Sequence, residues 1–248
     1  MIHRWFPLYV ALALGFASPA TADTADVAAA EDEGFPGSLS MNAGFFTDYA
    51  FRGVSQTKES YALQGGVDWS HDSGLFLGFW GSRVNFGSGD DSYMEQDFYG
   101  GYAGSLGALS YDIGVYYFYY PRNGALNYWE YAVNTGYDLG FASLKLGLLY
   151  SPDYLALVDD AIYVSTGFEY PLPIEMPYGL SLTLDANVGL TKAQDPIFSD
   201  DDYTDWNVGL IVGLPRGLSL DLRYVDTDED IDIADSRFIV GLGVGIDF

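Results

Sequence analysis

The chain has 248 residues, with 35 acidic side chains against 10 Lys and Arg, a formal charge of −25. That balance repels phosphate and excludes nucleic acid as a natural partner. Cysteine is absent, which excludes a disulfide framework and thiolate metal sites, and the wealth of Tyr and Phe leans to an all-β fold.

The chain starts with a short basic stretch, Met1-Ile2-His3-Arg4, then an apolar run from Trp5 to Phe16, then Ala20-Thr21-Ala22 ahead of Asp23. The run is too short to span a bilayer, and the three parts in this order read as a secretory signal peptide over residues 1–22. Residues 23–37 are small and acidic and end in Gly-Phe-Pro-Gly, so they are expected to form a flexible leader.

From Ser38 onward, apolar and polar residues alternate, as in strands with one oily face. The first strand sets Leu39, Met41, Ala43 and Phe45 against Ser40, Asn42 and Gly44. Its parity runs on through Tyr49 and Phe51, opposed by Asp48, Ala50 and Arg52. The second spans Tyr61 to Ser70 and turns at His71-Asp72-Ser73-Gly74. The third, Leu75 to Phe86, has aromatics on both faces and an ambiguous parity. The fourth, around Met94 to Ala103, is weakened by glycine.

Ile113, Val115 and Tyr117 carry the fifth strand, Trp129, Tyr131 and Val133 the sixth. Leu144, Leu146 and Leu148 carry the seventh, Ile162, Val164 and Phe168 the eighth. The ninth alternates most cleanly, with Leu182, Leu184, Ala186 and Val188 opposed by Thr183, Asp185, Asn187 and Gly189. Trp206, Val208 and Leu210 form the tenth, Leu218, Leu220 and Leu222 the eleventh. The twelfth has Phe238, Val240, Leu242, Val244, Ile246 and Phe248 on one face and Gly241, Gly243 and Gly245 on the other.

An even count of strands, joined alternately by short turns and longer acidic loops, predicts a transmembrane antiparallel β-barrel of about twelve strands over residues 38–248, with up-and-down topology. The turns would be periplasmic, the loops extracellular, and the protein would lie in the cell outer membrane. Aromatics near strand ends, among them Trp69, Trp129, Tyr150, Tyr170 and Trp206, suit girdles at the two membrane interfaces. A secreted β-sandwich also alternates, but its exposed face is richly polar; here the second face carries many glycines and small residues.

Asp48 to Gln56 reads D-Y-A-F-R-G-V-S-Q, followed by A-L-Q-G-G at Ala62–Gly66 and W-G-S at Trp80–Ser82. These segments resemble the TorF-type porin family of proteobacteria, and the likeness runs from about Ser38 to Phe248. The resemblance implies a porin-like protein of the outer membrane of a Gram-negative bacterium. It supplies no catalytic residue. The last strand likewise resembles the closing strand that barrel assembly machinery recognises, with Phe248 as its terminal aromatic.

By parity, Asp48, Arg52, Lys145, Asp185, Asp221, Arg223 and Arg237 face the lumen as pore-lining candidates, together with Asp68, Asp97, Asp112, Glu169 and Asp205. The first, eleventh and twelfth strands meet when a barrel closes, which predicts one wall shared by Asp48, Arg52, Asp221, Arg223 and Arg237. Individual charges are expected to pair in a lumen that is polar overall. Gly241, Gly243 and Gly245 would leave room beside that wall for a small solute or for the leader as a plug.

Function reads as passive diffusion of ions or small solutes, with cation preference from the acidic rim. The partners expected are outer-membrane lipid and lipopolysaccharide, the assembly machinery and the permeating solutes. The alternatives are a closed barrel that adheres through its loops, and an outer-membrane enzyme. Past the signal peptide the one histidine, His71, sits in a short turn, away from any strand-borne Ser or Asp near a substrate, so no catalytic residue is assigned. The aspartates at 226, 228, 230 and 232 miss the Gly and Glu of a Ca²⁺ loop and read as a solvated rim; no cofactor or metal is expected.

Overall fold

The computed structural model describes residues 36–248. The predicted signal peptide and nearly all of the predicted leader lie outside the described residues. The strands are β1 (Ser38–Phe46), the short β2 (Ala50–Phe51) and β3 (Val54–Ser55), β4 (Ala62–Ser70), β5 (Leu75–Arg83), β6 (Met94–Leu106) and β7 (Leu109–Tyr119). They continue with β8 (Tyr128–Asp138), β9 (Ser143–Ser151), β10 (Ala161–Pro171), β11 (Ser181–Ala193), β12 (Asp202–Gly213), β13 (Leu218–Thr227) and β14 (Arg237–Asp247).

All but β2 and β3 form a closed antiparallel barrel in which each wall strand pairs with the next in sequence. β1 closes the ring against β14, in a register running from Ser40 opposite Asp247 to Phe46 opposite Gly241. Past the last pair, the Phe248 N–H donates to the Leu39 carbonyl at 2.8 Å. Closure satisfies every edge, which is what backbone in a bilayer requires, since lipid offers no hydrogen bonds.

The alternation has its expected physical outcome. Leu77, Ile113, Leu146 and Leu242 point outward and are each more than half exposed, as side chains must be that face lipid instead of a protein core. Aromatics gather toward both ends of this outer band. Tyr117 packs on Trp129 and Tyr224 on Phe238 at the loop end, while Phe168 stacks on Tyr170 at the turn end. The ambiguous third strand resolves with Phe76, Trp80 and Ser82 inward and Leu75, Leu77 and Phe79 outward. The glycine-rich fourth strand is among the longest, and on its lumen side Tyr99 stacks on Tyr116, its partner across the β6–β7 pair.

The first strand departs from expectation. β1 ends at Phe46, and the chain then folds into the barrel, so Tyr49 and Phe51 are buried inside it, not lipid-facing. β2 and β3 pair as a tight hairpin, Ala50 with Ser55 and Phe51 with Val54. Its two turn residues, Arg52 and Gly53, have φ of 47° and 82°, the left-handed pair that a twisted two-residue hairpin demands. A Cβ at Gly53 would also collide with the Thr227 methyl. Gly53→Ala is therefore expected to destabilise the protein by more than about 1 kcal/mol, read from urea unfolding of the detergent-solubilised barrel. The glycine strip of β14 is not open space either, since the Phe46 ring lies where a Gly241 Cβ would be.

Candidate functional site

The hairpin crosses the loop end of the lumen, and Asp48 fastens it. One Asp48 oxygen accepts from Ser55 Oγ at 2.7 Å, Thr57 Oγ1 at 2.5 Å and the Tyr49 N–H at 2.8 Å. Its other oxygen takes a guanidinium nitrogen of Arg237 at 3.1 Å. One carboxylate thus ties the start of the box, its end and β14 together. The Ser55 N–H adds a bond to the Ile233 carbonyl at 2.7 Å, so the last loop also grips the hairpin.

Arg52 sits at the hairpin tip and reaches the far side of the ring. Its Nη2 lies 2.9 Å from both carboxylate oxygens of Glu130 on β8. Its guanidinium carbon is 4.1 Å from the Tyr163 ring centre, 4.8 Å from Phe51 and 5.1 Å from Tyr154. Burial works most strongly against this charge, but Glu130 together with the phenols of Tyr154, Tyr163 and Tyr128 more than offsets it, so Arg52 is held above its usual pKa and stays cationic. A charge-assisted bond between desolvated partners, with ring faces on the cation, is strong only when every part is seated together.

Two further acids lie beneath the hairpin on β6. Glu95 accepts from the phenols of Tyr49 at 2.7 Å and Tyr120 at 2.5 Å. Burial first, and then the Glu95 charge, push both loop phenols well above their ordinary pKa, so they stay protonated donors. Asp97 is fully buried, and neither of its oxygens has a hydrogen-bond partner among the described residues.

A second cluster lies nearer the turn end, on β9 to β13. Arg223 donates to Asp185 at 2.6 Å, Asp221 at 3.1 Å and Asn207 at 2.5 Å. Lys145 donates to Glu169 at 2.6 Å and stands 3.8 Å from Asp185. Between hairpin and cluster a cavity of about 60 Å³ remains, bordered by Phe46, Asp48, Arg52, Asp205, Asn207 and Arg223. It has room for a few water molecules.

All seven pore-lining candidates therefore lie on the inside of the barrel, but not on one wall. Asp48 pairs with Arg237; Asp185, Asp221, Arg223 and Lys145 form one network; Arg52 leaves both groups for Glu130 across the lumen. The predicted shared wall fails for Arg52 because the hairpin carries it away from the strand that precedes it. Of the other inward acids, Asp68 accepts from Tyr99 at 2.5 Å, Asp112 from Asn134 at 2.9 Å and Asp205 from Tyr163 at 3.3 Å. Glu130 and Glu95 were missed by sequence reasoning. Both stand on the polar parity of strands flanked by apolar neighbours, Trp129 and Tyr131 in one case and Met94 in the other, and that parity was the available signal.

The chain belongs to the family Gcw_chp, described as "Bacterial protein of unknown function", which it matches over residues 29–241. No curated protein sequence matches it. Among solved structures it is similar to the KdgM porin, at a TM-score of 0.56 and 9% identity over 84% of this chain and 98% of that one. It is similar in the same degree to the NanC porin, at a TM-score of 0.56 and 12% identity over 83% and 98%. At such identities the likeness is one of fold: an all-β barrel of the outer-membrane porin kind.

Proposed function

We propose that this Gcw_chp-family barrel is an outer-membrane channel for passive diffusion of ions and small solutes, cation-preferring and narrowed by its own β2–β3 hairpin. The observation that carries the reading is a closed wall, oily outside, around an interior whose acids outnumber its bases. Each inward base of the wall already meets a carboxylate, while Asp97 has no hydrogen-bond partner among the described residues. A passing cation is attracted to that surplus and a passing anion repelled. The D-Y-A-F-R-G-V-S-Q box supports the reading through its resemblance to TorF-type porins, and the signal peptide read over residues 1–22 supports export.

In this reading the outer band contacts membrane lipid and lipopolysaccharide, and the β14 segment ending at Phe248 is what the assembly machinery engages. This reading gives His71 no catalytic part; it bonds Ser73 within its own exposed turn, at 2.8 Å.

Purified barrel in planar bilayers under a KCl gradient is expected to give discrete conductance steps and a reversal potential on the cation side. Folded protein that neither conducts nor lets solutes into liposomes would favour a closed barrel acting through its loops. Conductance with an anion-side reversal potential would keep the channel and remove its selectivity.

A further inference from the structure

The two halves of the wall differ in what they turn inward. β4 to β8 contribute Asp68, Glu95, Asp97, Asp112 and Glu130, and no Lys or Arg; their single strand-borne base, Arg83, has outward parity and donates to the Tyr61 carbonyl near the rim. The inward bases Lys145, Arg223 and Arg237 all come from β9 to β14. Those bases are each neutralised in place, by Glu169, by Asp185 with Asp221, and by Asp48. They offer an anionic solute no free partner.

The acid half is not neutralised in the same way. Tyrosine hydroxyls, and no Lys or Arg, bond Asp68 and Glu95. Asp97 has no hydrogen-bond partner at all among the described residues, and its electrostatic neighbours Glu95 and Glu130 are acids too. One cation of the protein does meet this wall, and it meets it from the lumen side on a hairpin, not from a strand. Arg52 has its guanidinium on Glu130 and against the faces of Tyr163 and Tyr154. Carboxylates among ring faces are the surroundings in which a planar, weakly hydrated cation loses least on leaving water.

We propose that the acid and tyrosine wall of β4 to β8 selects solutes bearing a guanidinium group, Arg52 being a built-in example of the group it accepts. The inference rests on the channel reading and names its substrate class. A carboxylate or phosphate solute meets repulsion along the same wall. A neutral solute gains none of the charge-assisted bonds.

The test uses three probes of similar length in reconstituted full-length barrel: agmatine, the neutral pentane-1,5-diol and the dianion glutarate. Agmatine is expected to enter liposomes at least about tenfold faster than either of the others, a span typical of electrostatic focusing in a cleft. The isosteric double variant Asp68→Asn/Asp112→Asn, verified as folded by its heat-modifiable gel mobility, is expected to lose most of that preference. Potassium conductance with agmatine no faster than the diol would overturn this inference and leave the channel standing. A double variant that keeps the full preference would overturn the assignment to this wall. No conductance for any ion would overturn both readings.

Discussion

Replacing residues 50–55 by a short Gly-Ser connector is expected to raise the single-channel conductance several-fold. The hairpin runs from β1 to a contact on β8, nearly opposite in the ring, and its residues from Asp48 to Thr57 are buried almost throughout. A barrel of twelve strands is wider than the eight-stranded kind that wall side chains fill unaided. Here the chain itself supplies filling, and the cavity between the hairpin and the Arg223 cluster holds only a few waters. Removing the hairpin leaves the wall strands and their ladder intact, so the barrel should still fold and the passage should widen. Bilayer recordings at matched salt check this. An unchanged unit conductance in the folded deletion variant would mean that ions take another route or none.

Arg52→Ala is expected to cost about 3–5 kcal/mol, because it leaves Glu130 buried without its cation. Part of that cost should return when Glu130→Gln is added, since the stranded charge is then gone. Urea unfolding of the single and double variants in detergent measures both. A second outcome is built into the geometry. The hairpin can leave the lumen without unfolding the wall, so some of the lost free energy should surface as longer open events in the single variant. A cycle in which Arg52→Ala costs nothing, with conductance unchanged, would show that the pair does not hold the hairpin.

The barrel wall was legible in the sequence because lipid enforces one rule on every strand. An outward side chain has no partner but hydrocarbon, so Leu182, Leu184 and Val188, or Phe238 and Val240, cannot be polar without penalty. The hairpin was not legible for a related reason. Tyr49 and Phe51 continue the parity of Phe45, and alternation alone cannot separate an aromatic facing lipid from one packed inside the lumen. The cue lay in Arg52-Gly53, a dipeptide able to take two successive positive φ values only at some strain on the arginine. Where inward charges find partners was beyond reach for the same kind of reason. Asp48 with Arg237 follows from strand neighbourhood, whereas Arg52 with Glu130 depends on where a hairpin tip lands.

The grip of β14 on the hairpin also sets an order of events. Asp48 and Arg237 are 189 residues apart in the chain, and Ser55 is held by Ile233 just before that same strand. Neither contact can form until nearly the whole polypeptide has been delivered, and contacts of such separation form late. During maturation, then, the box at Asp48 to Gln56 lacks its ties to Arg237 and Ile233 until β14 is in place, whatever it already holds on Glu95 and Glu130. The last fastening of the box is made by the same strand whose arrival seals the wall.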